Sequence, residues 1–318
     1  MAPIIRPPSM AMCGIIIFCL SFILLFRTSG VLPSLPHPSQ QIQVPLNRSY
    51  IGKVSMLYGD NPVYEQALKT HDKHNTAHGY DMTVLRRQLL PGFWSKPAYI
   101  LSRLLEEMAK PEDVRLEWIV WFDVDILIMN YKIPLELFLP PPEMYPAIIC
   151  LVTDDHRGLN NGVFFLRVND LAVYLMTAVL GYQKAGCRPP GHLRTEDQGA
   201  LENIIKEEQF RPHVMHLPQR WFNAFAGFRD STLSKTTKFK ANSVKEGDLL
   251  VHFAGHKTTR EATMKEWLKH YEARRGEWEI DVEETGYVEE IKRYWEVDAE
   301  KENPKQVRYF PGASAMVD

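Results

Sequence analysis

Residues 118–129, Trp-Ile-Val-Trp-Phe-Asp-Val-Asp-Ile-Leu-Ile-Met, place two carboxylates inside an otherwise apolar run. An ionised carboxylate in such a run is costly unless a cation or hydrogen bonds compensate it. Side chains two residues apart in a strand share one side, so we expect Asp123 and Asp125 to converge on a single ion. Oxygen ligands of this kind favour Mg²⁺ or Mn²⁺. The alternative is a pair of solvated carboxylates that caps the turn at a strand end.

The composition is that of a globular protein. The chain has 318 residues, of which 45% are hydrophobic and 24% charged, enough for one large domain or two small ones. The net charge is −2 and lysine and arginine form no cluster, so nucleic acid is not an expected partner.

An uncharged apolar stretch over residues 10–26 lies between Arg6 and Arg27. Its length is at the short end of what spans a bilayer. We interpret residues 10–27 as a signal-anchor transmembrane helix and residues 1–9 as a cytoplasmic tail. The alternative is a cleaved signal peptide, with Thr28-Ser29-Gly30 at the cleavage site. A short span fits the thinner membranes of the early secretory pathway, so the Golgi is the expected location.

Residues 28–50 are rich in Pro, Ser and Gln, as expected of an extended lumenal stem before a domain over residues 51–318. Asn47-Arg48-Ser49 is an N-glycosylation acceptor and agrees with a lumenal stem. Cys150 and Cys187 are the two cysteines outside the apolar segment. They can pair in an oxidising lumen, or Cys150 can be a buried thiol.

Strand and helix patterns alternate along the rest of the chain, which predicts one α/β domain with three layers and ligands at the carboxyl ends of its central strands. The predicted strands are 54–58, 117–129, 147–152, 163–167 and 249–253. The predicted helices are 98–108, 170–181 and 199–206. The C-terminal part is predicted to be helical and charged and to pack through Trp267, Trp278 and Trp295. A polar loop is predicted at 153–161. His71, His74 and His78 have helical spacing and are interpreted as a surface feature.

His252, near the end of the last predicted strand, is the candidate third metal ligand, because one imidazole and two carboxylates suit Mn²⁺. Gly255 permits a close backbone approach, and Lys257 can meet phosphate oxygens. Such a set could hold the diphosphate of a nucleotide sugar and stabilise it as it leaves. The alternatives are a packed strand histidine and a solvated loop lysine.

Two polar motifs follow. Asn160-Asn161-Gly162 offers amides for sugar hydroxyls, although Asn-Gly is equally a turn signal. Glu196-Asp197-Gln198 offers acidic and amide groups, although such residues also cap a helix.

These motifs, taken in order, resemble glycosyltransferase family 34, which includes fungal α-galactosyltransferases, Golgi α-1,6-mannosyltransferase subunits and plant xyloglucan α-xylosyltransferases. The similarity runs from about residue 53 to 257. It rests on His78-Gly79-Tyr80, Trp94-Ser95-Lys96, Trp121-Phe122-Asp123-Val124-Asp125, Leu159-Asn160-Asn161-Gly162-Val163-Phe164, Glu196-Asp197-Gln198 and His252-Phe253-Ala254-Gly255-His256-Lys257. Glu196 departs from the Asp-Asp-Gln form of the xylosyl branch, so donor and acceptor preference stay open.

The resemblance implies a GT-A fold, a mixed sheet flanked by helices, with single-pass type II topology in the Golgi membrane and a lumenal catalytic domain. It implies a retaining transfer with Mn²⁺ on Asp123, Asp125 and His252, and catalytic roles for Glu196, Asp197 and Gln198. The implied nucleotide-sugar contacts come from Tyr58, Lys96, Asp123, Asp125, Asn161, Gly255 and Lys257.

The leading functional hypothesis is transfer of galactose from UDP-galactose to a mannose-containing glycan. Gln198 is a neutral amide and a poor nucleophile, so the sequence favours front-face transfer assisted by the leaving diphosphate. The alternatives are a mannosyltransferase that uses GDP-mannose and a noncatalytic subunit of a mannosyltransferase complex. Either alternative is compatible with a hetero-oligomer of glycosyltransferases.

Overall fold

Strands and helices alternate along the chain, as the sequence pattern predicts, and they build a mixed six-stranded sheet. The computed structural model describes residues 49–155, 157–184, 196–226, 242–255 and 258–304. The strands are β1 (Ile51–Met56), β2 (Asp81–Leu85), β3 (Trp118–Phe122), β4 (Ile126–Ile128), β5 (Cys150–Asp155), β6 (Gly158–Arg167), β7 (Val214–Leu217) and β8 (Leu250–His252).

The main sheet has the strand order β2-β1-β3-β6-β5-β7. β1 is parallel to both β2 and β3, β6 is antiparallel to both β3 and β5, and β7 is parallel to β5. β4 and β8 form a separate antiparallel pair in which Ile126 faces His252. Three residues separate the end of β3 from the start of β4, so the small sheet stands at the carboxyl end of a central strand.

In the part of the chain that the structure describes, six helices of seven or more residues accompany the sheets. They are α1 (Pro62–His78), α2 (Ser95–Met108), α3 (Asp170–Lys184), α4 (Asp197–Ile204), α5 (Arg260–Ala273) and α6 (Tyr287–Arg293). Shorter helical segments are Gly92–Trp94, Leu135–Phe138, Arg211–His213, Gln219–Phe222, Arg275–Trp278, Val282–Glu284, Tyr294–Asp298 and Ala299–Glu302. Asn61 caps α1 by accepting from the amides of Val63 and Tyr64, and Gly79 ends it at φ +70°, a conformation that glycine adopts without strain.

Three apolar clusters hold these elements together. One face of the main sheet packs on α2, α3 and α4, and its core includes Trp121, Phe164 and Leu104. The opposite face packs on the C-terminal helices through residues such as Phe165 and Trp295. The third cluster seats the small sheet between α1 and α5, with Trp267 and Trp278 buried as predicted. The predicted α/β architecture with a mixed, helix-flanked sheet is therefore confirmed.

The predicted strand over 117–129 is broken. β3 ends at Phe122, a turn carries Asp123 to Asp125, and β4 starts at Ile126 in the other sheet. The two carboxylates thus converge because of a turn, and the expectation that strand alternation aligns them is wrong. The predicted polar loop at 153–161 is also wrong, since β5 and β6 extend through it and pair as a hairpin down to Asp155 and Gly158.

The three histidines of α1 are not a surface feature. His71 and His74 are fully buried, while His78 is half-buried. The Nε2 of His74 donates to the carbonyl of Ile133 at 2.9 Å, which leaves Nδ1 to accept from the buried Lys53 ammonium at 3.2 Å. Helical spacing places two of the rings against the sheet, where Lys53 of β1 already points.

Several sequence predictions fall on residues outside those that the structure describes: the anchor at 10–27, nearly all of the stem, Asn47, Cys187 and Lys257. Within the described ranges, no helix is both long enough and apolar enough to cross a bilayer. Cys150 is a buried free thiol, and burial raises its pKa above the ordinary range.

Candidate active site

The turn after β3 presents Asp123 at the carboxyl end of the central strands. Its Oδ1 accepts from the indole Nε1 of Trp121 at 2.7 Å and from Nζ of Lys96 at 2.9 Å. The side chain is 33% exposed, so one edge of the carboxylate stays open. Asp123 is therefore held from one side by two donors and is free to bind a ligand on the other.

Asp125 and His252 complete a group of three potential metal ligands. One donor atom from each of Asp123, Asp125 and His252 lies within 4.8 Å of the other two. The small sheet causes this convergence, because pairing of Ile126 with His252 sets the imidazole beside the turn. The amide of Phe253 donates to the carbonyl of Asp125 at 3.0 Å and fixes the two segments together.

The orientation of His252 follows from its neighbour Asn223. The amide nitrogen of Asn223 donates to Thr153 Oγ1 at 2.8 Å and to the carbonyl of Asn160 at 3.1 Å. Its Oδ1 must therefore face the Nδ1 of His252, 2.7 Å away, and Nδ1 carries the proton. The lone pair of His252 then lies on Nε2, which points to Asp125 at 3.5 Å. This is the arrangement that a metal-binding imidazole needs.

Asp125 is buried, and the guanidinium of Arg260 is a charged neighbour of its carboxylate. The Nε of Arg260 lies 3.0 Å from Asp125 Oδ2 as an ion pair. Burial raises the pKa of Asp125, but His252, when its ring is protonated, and the guanidinium of Arg260 outweigh that effect, and the pKa lies below its ordinary value, at about 2. Asp125 is thus a carboxylate at neutral pH.

A second group adjoins the first through Lys96. The Nζ of Lys96 donates to the carbonyl of Asn161 at 2.6 Å and lies 3.8 Å from Asp197 Oδ2. Asn161 donates to the same Asp197 oxygen at 2.9 Å and, through its backbone amide, to Gln198 Oε1 at 3.4 Å. Burial raises the pKa of Asp197, and Lys96 opposes that rise. One buried ammonium therefore links Asp123 to the first residues of α4.

The residues fit a divalent cation. Two carboxylates and one imidazole nitrogen are a ligand set suited to Mn²⁺ or Mg²⁺. Gly162 supports the fit, because a Cβ at that position would lie 2.1 Å from His252 Cε1, and so only glycine leaves the ring its place. The ordered imidazole and the open edge of Asp123 leave room for further ligands on the ion.

The structure brings together most of the predicted site residues. They are Lys96, Asp123, Asp125, Asn161, Asp197, Gln198 and His252. Gly255 lies three residues past His252 at φ +80°, where glycine is unstrained. Glu196 is exposed at the start of α4 and makes no capping bond with its side chain. The hydroxyl of Tyr58 contacts Met56 of its own segment at 3.1 Å.

Sequence reasoning missed two residues of this site, Asn223 and Arg260. Asn223 had a usable signal, since a lone amide within Trp-Phe-Asn-Ala-Phe requires buried hydrogen-bond partners. Arg260 had none, because it begins a charged helix and no pattern distinguishes it from the other basic residues there.

The fold is a mixed α/β glycosyltransferase-like fold. It is similar to the crystal structure of a glycosyltransferase involved in the glycosylation of the major capsid of PBCV-1, with a TM-score of 0.50 and 15% identity over 68% of this chain and 98% of that one. Residues 51–263 match the galactosyl transferase GMA12/MNN10 family, and the chain belongs to that family.

A curated relative is the probable alpha-1,2-galactosyltransferase gmh1 of Schizosaccharomyces pombe. It is 28% identical over 209 residues, which cover 56% of this chain and 58% of the relative. The chain therefore spans a little over half the length of that relative.

Proposed function

We propose that this protein is a retaining α-glycosyltransferase of the GT-A type that transfers galactose from UDP-galactose to a mannose-containing glycan. The convergence of Asp123, Asp125 and His252 at the end of β3 carries the proposal. A nucleotide sugar has a diphosphate that a divalent cation can hold, and the sugar would extend from that cation towards Lys96 and Asp197.

Mn²⁺ held by these three residues would neutralise the charge that develops on the departing UDP. The protein's own part is to present ligands already in their binding geometry. Asn223 keeps the imidazole in the correct tautomer, and Trp121 with Lys96 holds the Asp123 carboxylate in place. Preorganised groups of this kind favour the transition state because they do not reorganise during the reaction.

In the proposed step, the bond between the anomeric carbon and the diphosphate oxygen breaks, and an acceptor hydroxyl attacks from the same face. The hydroxyl proton passes to the departing diphosphate. Asp197 is already bound to Asn161 and balanced by Lys96, an arrangement suited to holding sugar hydroxyls, and Gln198 beside it is a neutral amide. These contacts support front-face transfer over a covalent intermediate.

Galactose as the donor sugar rests on the family description and on the relative's name. We further propose type II topology in the Golgi membrane, with the anchor at 10–27, the stem at 28–50 and a lumenal catalytic domain at 51–318. The uncharged stretch before the Pro-rich segment supports this topology.

The test is donor hydrolysis and transfer by the full-length protein purified in detergent. UDP-Gal, UDP-Glc, UDP-Xyl and GDP-Man are compared with and without Mn²⁺, first alone and then with α-mannosides as acceptors. Mn²⁺-dependent turnover of UDP-Gal with an α-linked product supports the proposal. Turnover of GDP-Man alone would make the protein a mannosyltransferase, and no turnover of any donor would favour a noncatalytic subunit. A glycosylated Asp197, trapped and detected by mass spectrometry, would contradict the front-face step.

A further inference from the structure

Among the described residues, two cationic side chains lie beside Asp123 and Asp125, and they differ in exposure and in how many of their N–H donors are engaged. Lys96 is 6% exposed and already contacts Asp123, the Asn161 carbonyl and Asp197. Two of the three N–H donors of Lys96 are engaged in hydrogen bonds, to Asp123 and to the Asn161 carbonyl, and the ammonium also lies 3.8 Å from Asp197. Arg260 on the other side of the pair is 29% exposed and lies beside Asp125. Of these two cations, Arg260 is the more accessible to a new anion.

The guanidinium of Arg260 retains donors in this position. It approaches Asp125 through Nε, 3.0 Å from Oδ2. A guanidinium has five N–H donors in a planar fork, so this contact leaves donors for a further acceptor. Phosphate oxygens match that fork geometry better than single acceptors do.

The backbone of Arg260 is held in place by contacts at the start of α5. It is the first residue of the 14-residue helix α5, and its neighbour Glu261 accepts from Asn61, the capping residue of α1, at 2.9 Å. The starts of α1 and α5 therefore meet beside Asp125. This contact anchors the backbone of Arg260, and the side chain is partly exposed.

Charge balance gives the direction of that shift. Without a metal, Asp125 is a buried carboxylate, and the guanidinium of Arg260 compensates its charge. A divalent cation bound by Asp125 would take over this role and repel the guanidinium. The diphosphate of the donor would then be the nearest anion that arrives with the metal.

We propose that Arg260 is an exchanging counter-ion: it neutralises Asp125 in the metal-free site and binds the donor's diphosphate in the loaded site. The inference rests on the proposed function and adds a residue to the donor site. Arg260 then opposes the binding of the metal alone and favours the binding of the nucleotide, so removing it moves the two affinities in opposite directions.

The experiment uses full-length protein in detergent. Mn²⁺ alone is titrated by electron paramagnetic resonance of the free ion, and UDP is titrated by calorimetry at saturating Mn²⁺. Arg260→Met should bind Mn²⁺ alone about threefold more tightly or better, because a nearby positive charge is gone. It should bind UDP about tenfold more weakly or worse, because a charge-assisted phosphate contact is lost.

Arg260→Lys and Arg274→Met are the comparison variants. Lysine keeps the charge, so Mn²⁺ affinity should return to the wild-type value, whereas UDP affinity should recover only in part because the fork is missing. Arg274, at the far end of α5, pairs with Glu277 and Glu246, and its replacement should change neither affinity.

The outcomes separate the inference from the function. Wild-type protein that binds neither Mn²⁺ nor UDP overturns the proposed function and this inference with it. Wild-type binding of both, with Arg260→Met shifting neither affinity or weakening both, overturns the inference alone. A parallel loss of both affinities with a lower melting temperature would show Arg260 to be merely structural.

Discussion

The imidazole of His252 lies directly over Gly162, and the two residues belong to different sheets. A Cβ added to Gly162 would fall 2.1 Å from Cε1, 2.7 Å from Nδ1 and 2.8 Å from Nε2 of that ring. His252 is almost fully buried and bonded to Asn223, so the ring has little room to give way. The candidate metal site therefore depends on a glycine of β6 as much as on its own ligands.

Gly162→Ala should displace His252 and weaken Mn²⁺ binding. We expect the Mn²⁺ affinity to fall about tenfold or more, and the free energy of unfolding to fall by about 1–3 kcal/mol from overpacking. Titration with Mn²⁺ and chemical denaturation measure the two effects. Gly181→Ala is the matched control, because its Cβ meets nothing within 4 Å. An unchanged Mn²⁺ affinity in Gly162→Ala would show that His252 is not a ligand.

Asp125→Asn should remove a metal ligand while preserving the shape of the side chain. In the wild type, Mn²⁺ at about 100 times its dissociation constant should add about 2.7 kcal/mol of stability by mass action. The variant should lose most of that Mn²⁺-dependent rise in melting temperature and most donor turnover. Asp281→Asn, an exposed aspartate paired with Lys132, should keep both. Mn²⁺-dependent turnover retained in Asp125→Asn would falsify the metal assignment.

Asn223→Leu should act through the tautomer of His252. Without the Asn223 oxygen, nothing holds the proton on Nδ1, and we expect Mn²⁺ affinity to fall by about 10–100-fold. Asn303→Leu provides the comparison, since Asn303 is also buried and hydrogen-bonded, to His216 and Tyr294, away from the ligands. Both variants should be less stable than the wild type, but only Asn223→Leu should weaken Mn²⁺ binding. Equal Mn²⁺ affinities in the two variants would contradict the assigned role.

The buried histidines predict a loss of stability in acid. Burial, and then the charge of Lys53, lower the pKa of His71 and of His74 well below 6.5. The folded chain thus binds fewer protons than the unfolded chain below pH 6.5, so stability is highest above that pH and falls as the pH drops. Burial lowers the pKa of Lys53 as well, and the negative charge of Asp72 opposes this effect without cancelling it. Below about pH 10.5 the folded chain therefore again binds fewer protons than the unfolded chain, and stability falls as the pH drops.

His71→Met tests this directly, because the Nδ1 of His71 has no hydrogen-bond partner. The free energy of unfolding is measured by urea denaturation from pH 7.5 to 4.5. Below pH 6.5 the variant's curve should be flatter by up to about 1.4 kcal/mol per pH unit, the contribution of one proton. His213→Met, at a half-buried site bonded to the Ala147 carbonyl, is the control. If both variants follow the wild-type slope, the acid sensitivity arises elsewhere.

The sequence predicted the architecture well where apolar patterns are long. The helix predicted at 98–108 is observed at Ser95–Met108, and the late strand predicted at 249–253 is observed at Leu250–His252. It failed at 118–129, where a continuous apolar run hides a turn between two sheets, because both halves are buried and neither shows a change in hydrophobicity. Periodicity reports burial, and it does not report which sheet a strand joins.

The site was predicted from motifs more successfully than from geometry. Asp123, Asp125 and His252 do converge, but through a turn and a second sheet that local pattern does not encode. The helical spacing of His71 and His74 correctly predicts that both lie on one face of the helix. It does not predict that this face is buried against the rest of the protein. Arg260 lies 135 residues beyond Asp125 in the chain, so only the packing of α5 against α1 reveals their contact.

Pairing of Ile126 with His252 couples the order of synthesis to the assembly of the candidate metal site. β4 has no partner until the chain has been synthesised through β8, and the third ligand arrives with that partner. A chain interrupted before Leu250 would lack both the partner strand of β4 and the third candidate ligand.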